Sequence, residues 1–304
     1  MKLYYNMKAP GNYISKYFGI EVRNGEYVLG LSNSNASNTL SFLDDPKFLD
    51  SVQDNESIIA LIVTQNLAEK VERDIELFIM DDPRFDYYTM HNDLARAGYQ
   101  KNPSIIHESA TIQPTAYVSE YNVKIEENVE IQPNVTILTD VEIGSNSIIR
   151  SGAVIGAEGF EYKRTLKGIL PVFHDGKVII GEEVDIGANC AVSKGFSYRN
   201  TMIGNQTKLD NLVHVAHGVQ IGERCLLPAS CMIAGNTSIG DDVWIGPNAS
   251  VSSWLTIESN AFITMGSVVT KNVEEGSHIT GNFAIPHSTF LNILKKNINE
   301  IEGK

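Results

Sequence analysis

From Ile203 onward an aliphatic residue returns at every sixth position: Ile203, Leu209, Val215, Ile221, Leu227, Ile233, Ile239, Ile245, Val251, Ile257, Ile263 and Val269. The fifth positions of these hexads are apolar or small, among them Val213, Cys225, Cys231, Thr237 and Ala249. The third positions are mostly polar, as at Asn205, Asn211, His217, Glu223 and Asp241. A strand repeats every two residues and an α-helix every 3.6, so neither alone sustains a period of six. A parallel β-helix does. Each hexad becomes one short strand and one corner, with its first and fifth residues facing a narrow core. The strands of an ordinary β-sandwich do not hold one phase through such a run.

The same phase is present upstream. It passes through Ile106, Ile112 and Val118, slips by one residue, and runs on from Ile125 through Ile131, Ile137, Ile143 and Ile149 to Ile155. One added residue is tolerable at a corner, whereas inside a strand it turns the core face outward. From 157 to 178 the pattern stops. This insertion carries Gly159, Phe160, Tyr162, Phe173 and His174 with the basic Lys163, Arg164 and Lys167. Long loops leaving a regular scaffold tend to carry function. Hexads return at Ile180, Ile186 and Val192, and a shorter break at 196–202 precedes the long run.

Residues 1–103 show no hexad. Segments 57–63 and 76–80 read as short buried strands, 66–74 and 85–97 as helices, which makes a small α/β domain. Within it Phe42 and Phe48 flank the turn-forming Asp45-Pro46. Aromatics so placed either clamp a planar ring or pack in the core. Ser288 is placed to cap a last helix with Phe290, Ile293, Leu294 and Ile298 on one face, and an open solenoid end needs such a cover. The expected architecture is mainly β: a left-handed parallel β-helix of hexapeptide repeats at 104–281, with an N-terminal α/β domain at 1–103 and a helical tail at 282–304. The handedness in that statement rests on the resemblance given below.

Composition narrows the partners. A formal charge of −13 over 304 residues argues against nucleic acid or an anionic membrane as the main partner. No apolar run approaches the roughly 18 residues of a membrane span, and no apolar leader is visible, so a cytoplasmic protein without membrane insertion is expected. Cys190, Cys225 and Cys231 all occupy fifth positions and read as small buried core residues.

The hexads resemble those of the left-handed β-helix acyltransferases. The whole chain is similar to the UDP-3-O-acylglucosamine N-acyltransferase family, through Ile155-Gly-Ala-Glu-Gly-Phe160, residues 178–189, Lys208-Leu-Asp-Asn-Leu-Val-His-Val-Ala-His217 and Ile233-Ala-Gly235. Phe42-Leu-Asp-Asp-Pro-Lys-Phe48 resembles that family's uridine-binding turn. The resemblance implies a homotrimer and no permanently bound cofactor or metal. It implies acyl-CoA or acyl carrier protein as donor, and a nucleotide-linked amino sugar (UDP or dTDP) as acceptor. It places the general base at His217.

Joining an acyl thioester to an amine requires removal of a proton, stabilisation of an oxyanion and alignment of two substrates. Asp210, seven residues before His217, is the expected orienter of its ring. Gly235, eighteen residues after it, is one full coil on, with no side chain to shield its N–H from a developing oxyanion. Phe42, Asp45, Phe48, Phe160, His174, Asn211 and Trp254 are the expected substrate contacts. Trp254 stands where the family has a second histidine, Asp45 where it has Asn, and Phe48 where it has Tyr. These departures favour an amino sugar of surface polysaccharide over the lipid A precursor. Trp254 would also narrow the groove toward short acyl chains. A γ-type carbonic anhydrase needs three histidines on zinc; here His214 and His217 lie at different corners and no third ligand is visible. A non-catalytic scaffold explains the repeat but leaves Asp210, His217 and Gly235 as coincidence.

Overall fold

A computed structural model describes residues 7–196, 199–281 and 284–302. The hexads form a left-handed parallel β-helix with three sheets on its three sides. Each rung is two to four residues long. Strands pair in parallel with the strand one coil on, as in His214–Val215 with Met232–Ile233 and then Ser250–Val251. First positions stack into continuous buried ladders, and Ile137, Ile155, Val192, Val215, Ile233 and Val251 are fully enclosed. Fifth positions fill the space between ladders. Where they are hydroxyls they bond within the core: Thr207 Oγ1 donates to the Gly222 carbonyl at 2.8 Å, and Thr237 Oγ1 to that of Ser252 at 2.9 Å. The three cysteines are buried and unpaired, as expected, and burial pushes their thiols up to about 11.

The corners follow from backbone sterics. The fourth residue of a hexad adopts a left-handed conformation, with φ between 55° and 62° at Asn128, Asn146, Asn189, Asn236, Asn248 and Asn260. Asn tolerates this region better than most side chains. Leu212 and Trp254 occupy the same corner position, at 61° and 64°, although neither side chain favours it. The phase slip falls at the corner between Val118 and Val123, where Asn122 is left-handed, so the core face is kept.

Neither break disrupts the stacking. Val141–Ile143 pairs with Val178–Ile180 and that strand with Thr201–Ile203, so both insertions leave from corners and return in register. The longer one forms a hairpin of Tyr162–Thr165 against Gly168–Pro171.

The N-terminal part is a five-stranded sheet, β1 (Met7–Pro10), β2 (Glu26–Leu29), β3 (Thr39–Leu43), β4 (Ile58–Val63) and β5 (Glu76–Ile79), in sequential order. β4 is almost wholly buried, as a continuous apolar run in a covered parallel sheet should be. Helix α1 (Gly11–Phe18) follows β1, and α2 (Leu49–Gln53) and α3 (Gln65–Ala68) are short. The helix expected at 66–74 stops at Ala68, because Arg73 turns inward and donates to the carbonyls of Val52, Asn55 and Ile58. Helix α4 (Pro83–Gly98) starts under an Asp82 cap, whose side chain accepts from Phe85 N–H at 3.2 Å, with Pro83 in the first turn.

Helix α4 clamps the insertion. Asn92 donates to the Pro171 carbonyl (2.8 Å) and accepts from Phe173 N–H (2.7 Å), while His91 Nε2 lies 2.9 Å from the Phe173 carbonyl oxygen. Leu166 N–H donates to Asp82, and the Lys167 ammonium sits 4.0 Å from the Phe85 ring centre.

The tail corrects an expectation. Helix α5 (His287–Glu302) begins before Ser288, so that residue is inside the helix and caps nothing. Phe290, Leu291, Ile293, Leu294, Ile298 and Ile301 are all exposed in the single chain, so the helix does not cover the solenoid end. No described helix is long and apolar enough to cross a membrane.

Ile239→Ala removes one rung of a ladder that is 4 % exposed. The expected loss is about 2–5 kcal/mol, read as a lowered denaturation midpoint. An unmoved midpoint contradicts the inward assignment.

Candidate active site

His217 follows the strand His214–Val215 at a third, outward position. Its counterpart Asn211 is exposed, yet His217 is 8 % exposed, because the insertion folds back over its corner. Gly159 lies flat against it. A Cβ at 159 would come 2.7 Å from Cβ and 2.8 Å from Cδ2 of His217, and 3.0 Å from Nε2 of His174. The ring is also walled by Phe196 and His174, at 5.7 and 5.8 Å between centroids. Glu161 brings a carboxylate oxygen to 3.3 Å from Nε2. Nδ1 is buried without a hydrogen-bond partner among the described residues.

Burial pushes the His217 pKa down, and the nearby Glu161 charge opposes that shift. His174 is 1 % exposed, and neither of its ring nitrogens has a hydrogen-bond partner among the described residues. Burial and the adjacent His217 lower its pKa to about 4. His174 was expected as a substrate contact; its ring is enclosed and lies against that of His217.

Gly235 sits beside this ring, as the eighteen-residue spacing requires. The register Val215↔Ile233 aligns the two corners, and Asn236 N–H donates to the His217 carbonyl at 2.9 Å. A Cβ on Gly235 would lie 2.6 Å from both Cε1 and Nε2 of His217. At another corner the third-position amides of Glu223 and Asp241 are bonded to Asp241 and Ser259 side chains. The Gly235 amide donates to no backbone carbonyl among the described residues. Proton removal calls for a neutral imidazole and oxyanion stabilisation for an unengaged N–H donor; His217, its pKa lowered by burial, and Gly235 are adjacent here.

The other expected contacts are dispersed. Asp210 belongs to a different corner. Its Oδ1 accepts from Asn211 N–H (2.7 Å), and it borders a shallow cleft of about 410 Å³ with Arg150, Asp185, Lys208 and Trp244. The single chain therefore does not bring Asp210 to His217. Asn211 ties its own corner, its Oδ1 accepting from Ala188 N–H at 2.7 Å. Trp254 is on the His217 corner, its N–H donating to the Gly235 carbonyl at 3.1 Å, and is half exposed. Phe160, 88 % exposed, meets Tyr162 edge-on.

At the N-terminal turn, Phe42 packs against Tyr87 and Tyr88, whereas Phe48 is exposed with the Lys47 ammonium 4.8 Å from its ring centre. Asp45 accepts from Lys47 N–H and pairs with the Lys47 side chain, which lowers its pKa.

Sequence periodicity missed Gly159, Glu161 and Phe196. They lie in the two breaks, where no repeat marks them; the breaks were the available signal. A cleft of about 820 Å³ lies between β1, α4 and the first coils, away from His217. Its lysines Lys8, Lys124 and Lys177 are paired with Glu26, Glu126 and Glu142. No group of three histidine, cysteine or acidic side chains suited to a metal ion occurs among the described residues.

Residues 122–157, 200–235 and 236–271 match the Bacterial transferase hexapeptide (six repeats) family, and 218–253 match the Hexapeptide repeat of succinyl-transferase. The chain is 32 % identical to the UDP-3-O-acylglucosamine N-acyltransferase of Campylobacter lari over 296 residues, spanning 90 % of this chain and 92 % of that one. The protein of the same name from Bordetella pertussis is 28 % identical over 83 % of this chain and 79 % of that one. That from Methylobacterium nodulans is 41 % identical over 47 % of this chain and 40 % of its own length, less than half of either protein. A solved UDP-N-acetylglucosamine acyltransferase aligns over 65 % of this chain and 78 % of that chain, at 28 % identity and a TM-score of 0.49.

Two outcomes are expected. Gly235→Ala should lower turnover by about 10²–10⁴-fold, the range for losing a positioned base, with the denaturation midpoint little changed, since the new methyl displaces the imidazole rather than the core. His174 is neutral when folded. Its contribution to stability is complete above its ordinary value of 6.5 and is lost as pH falls toward about 4. His174→Phe should therefore flatten the fall of the denaturation midpoint across that window, and an unchanged slope contradicts the assignment.

Proposed function

Because the chain belongs to the UDP-3-O-acylglucosamine N-acyltransferase family, we propose that it moves an acyl group from a thioester to the amine of a nucleotide-linked amino sugar, with His217 as general base. The thioester is carried by CoA or by acyl carrier protein. The observation that carries this reading is the pairing of a buried, neutral imidazole with the unshielded Gly235 amide one coil away.

His217 Nε2 faces the Gly235 side and takes a proton as the amine attacks the thioester carbon. The Gly235 N–H stabilises the oxyanion of the tetrahedral intermediate. When that intermediate collapses, the thiolate leaves and recovers the proton from the imidazolium. Phe42 and Phe48 hold the pyrimidine of a UDP or dTDP sugar, with Asp45 shaping the turn between them. Phe160 and Asn211 contribute further substrate contacts, and Trp254 limits the acyl groove toward short chains.

The protein works as a homotrimer, and Asp210 orients the His217 ring of a neighbouring copy. Its place on a separate corner, bordering an open cleft, supports an approach from outside the chain. The acceptor is an amino-deoxy sugar of surface polysaccharide. A second reading, UDP-3-O-acylglucosamine itself, is favoured by identity to proteins of that name along most of the chain. A screen of both acceptor types against acetyl, hydroxybutyryl and hydroxymyristoyl thioesters decides between them.

His217→Ala should reduce kcat by about 10²–10⁴-fold with folding retained. Asp210→Asn should cost less, because it disturbs orientation without removing the base. Unchanged turnover in His217→Ala sinks the reading.

A further inference from the structure

Glu161 divides its two oxygens. Oε1 pairs with the Lys163 ammonium, and Oε2 lies 3.3 Å from Nε2 of His217. Lys163 is itself seated, its Nζ 4.5 Å from the ring centre of Tyr88, a buried residue of α4. The Glu161 and His217 side chains are 13 % and 10 % exposed. The carboxylate is thus a held group in a dry corner. Lys163 is on the hairpin, Tyr88 on α4, His174 at the end of the insertion and His214 on the strand before the base; these are the titratable groups around the pair.

With a proton on Nε2, the ring can donate to Glu161. Base chemistry at Nε2 needs the other tautomer, with the proton on Nδ1 and the lone pair on Nε2. Two acceptors then face each other at 3.3 Å in a buried site, and buried acceptors without a donor are costly. A group with two or more N–H bonds satisfies both at once. A hydroxyl brings a single hydrogen and leaves one acceptor bare.

Resting on the acyl-transfer reading above, we propose that Glu161 binds the amino group of the acceptor and makes this site select an amine over a hydroxyl. The amine enters as an ammonium and sheds two protons. One passes to solvent before attack. The other passes to His217 Nε2 as the C–N bond forms, and then to sulfur as the C–S bond breaks. Glu161 forms no covalent bond and holds the nitrogen beside the base throughout.

The test compares acceptors that differ only in amine or hydroxyl, with UDP-glucosamine against UDP-glucose as the first pair, extended to whichever amino sugar the acyl-transfer screen identifies. Glu161→Gln should lower kcat/KM for the amine by about 10–100-fold, mostly through KM, as expected for a lost charge-assisted hydrogen bond. It should leave the hydroxyl compound within about twofold, so the preference falls by the same factor. The acid limb of the pH profile should move to lower pH, since a charge that favours the imidazolium is gone. Glu161→Asp should keep part of the preference. Calorimetric binding to the wild type, from about pH 6 to about pH 9, should weaken for the amine as it loses its charge and stay flat for the hydroxyl compound. A folded Glu161→Gln with an unchanged amine-to-hydroxyl ratio overturns the proposal. Should that variant not fold, a wild-type preference that ignores pH overturns it. Transfer by the wild type with an unaltered Glu161→Gln removes this inference alone, whereas no transfer to any amino sugar removes the proposed function with it.

Discussion

Parallel pairing in strict register, one coil on the next, is the constraint from which the rest of this molecule follows. Strand amides bond to carbonyls on the neighbouring coil, so residues eighteen apart become physical neighbours. The core can then be only as wide as the inward first and fifth side chains allow, which is why Ile, Leu and Val alternate with Cys, Thr and Ala along it. The same pairing carries His217 to Gly235. A single added residue within a strand would turn these faces over, and the one-residue phase slip falls at a corner.

Corners are also where the regular structure leaves room for chemistry. A two-residue rung cannot build a pocket, and an outward side chain at a corner is ordinarily wet. The insertion after Ala157 changes this by laying Gly159 and Glu161 over the His217 ring. Helix α4 holds that insertion through Asn92, His91 and Asp82. The N-terminal sheet thereby reaches the His217 ring at one remove, through a helix and a hairpin. Phe42 packs on Tyr88, which carries Lys163, which pairs with Glu161, so the aromatic turn and the His217 ring share one contiguous set of contacts.

Two imidazoles in such a corner remain neutral because burial disfavours their charged forms. For His217 this keeps a lone pair available, while Glu161 offsets part of the shift once a proton arrives. For His174 it yields a wall without charge beside the His217 ring. The three cysteines show the same physics with the opposite sign: burial disfavours the charged thiolate and raises their pKa, and Cys231 and Cys225 donate to the carbonyls of Pro228 and Gly240.

The period of six, legible residue by residue, was enough to specify the solenoid, its inward ladders, the buried cysteines and the adjacency of His217 and Gly235, because backbone register converts spacing directly into position. The two strands of the N-terminal sheet at 58–63 and 76–79 were legible from their continuous apolar runs instead. Several features were not. Whether His217 is wet or enclosed depends on an aperiodic insertion, and its path is set by contacts with α4 some eighty residues away. Asp210 and His217 are close in sequence, yet the corner geometry separates them. Ser288 and the tail read as a cap, but a helix covers a solenoid end only if the chain before it turns that way. Periodicity determined where the backbone goes; only tertiary packing decided which side chains meet where the period is broken.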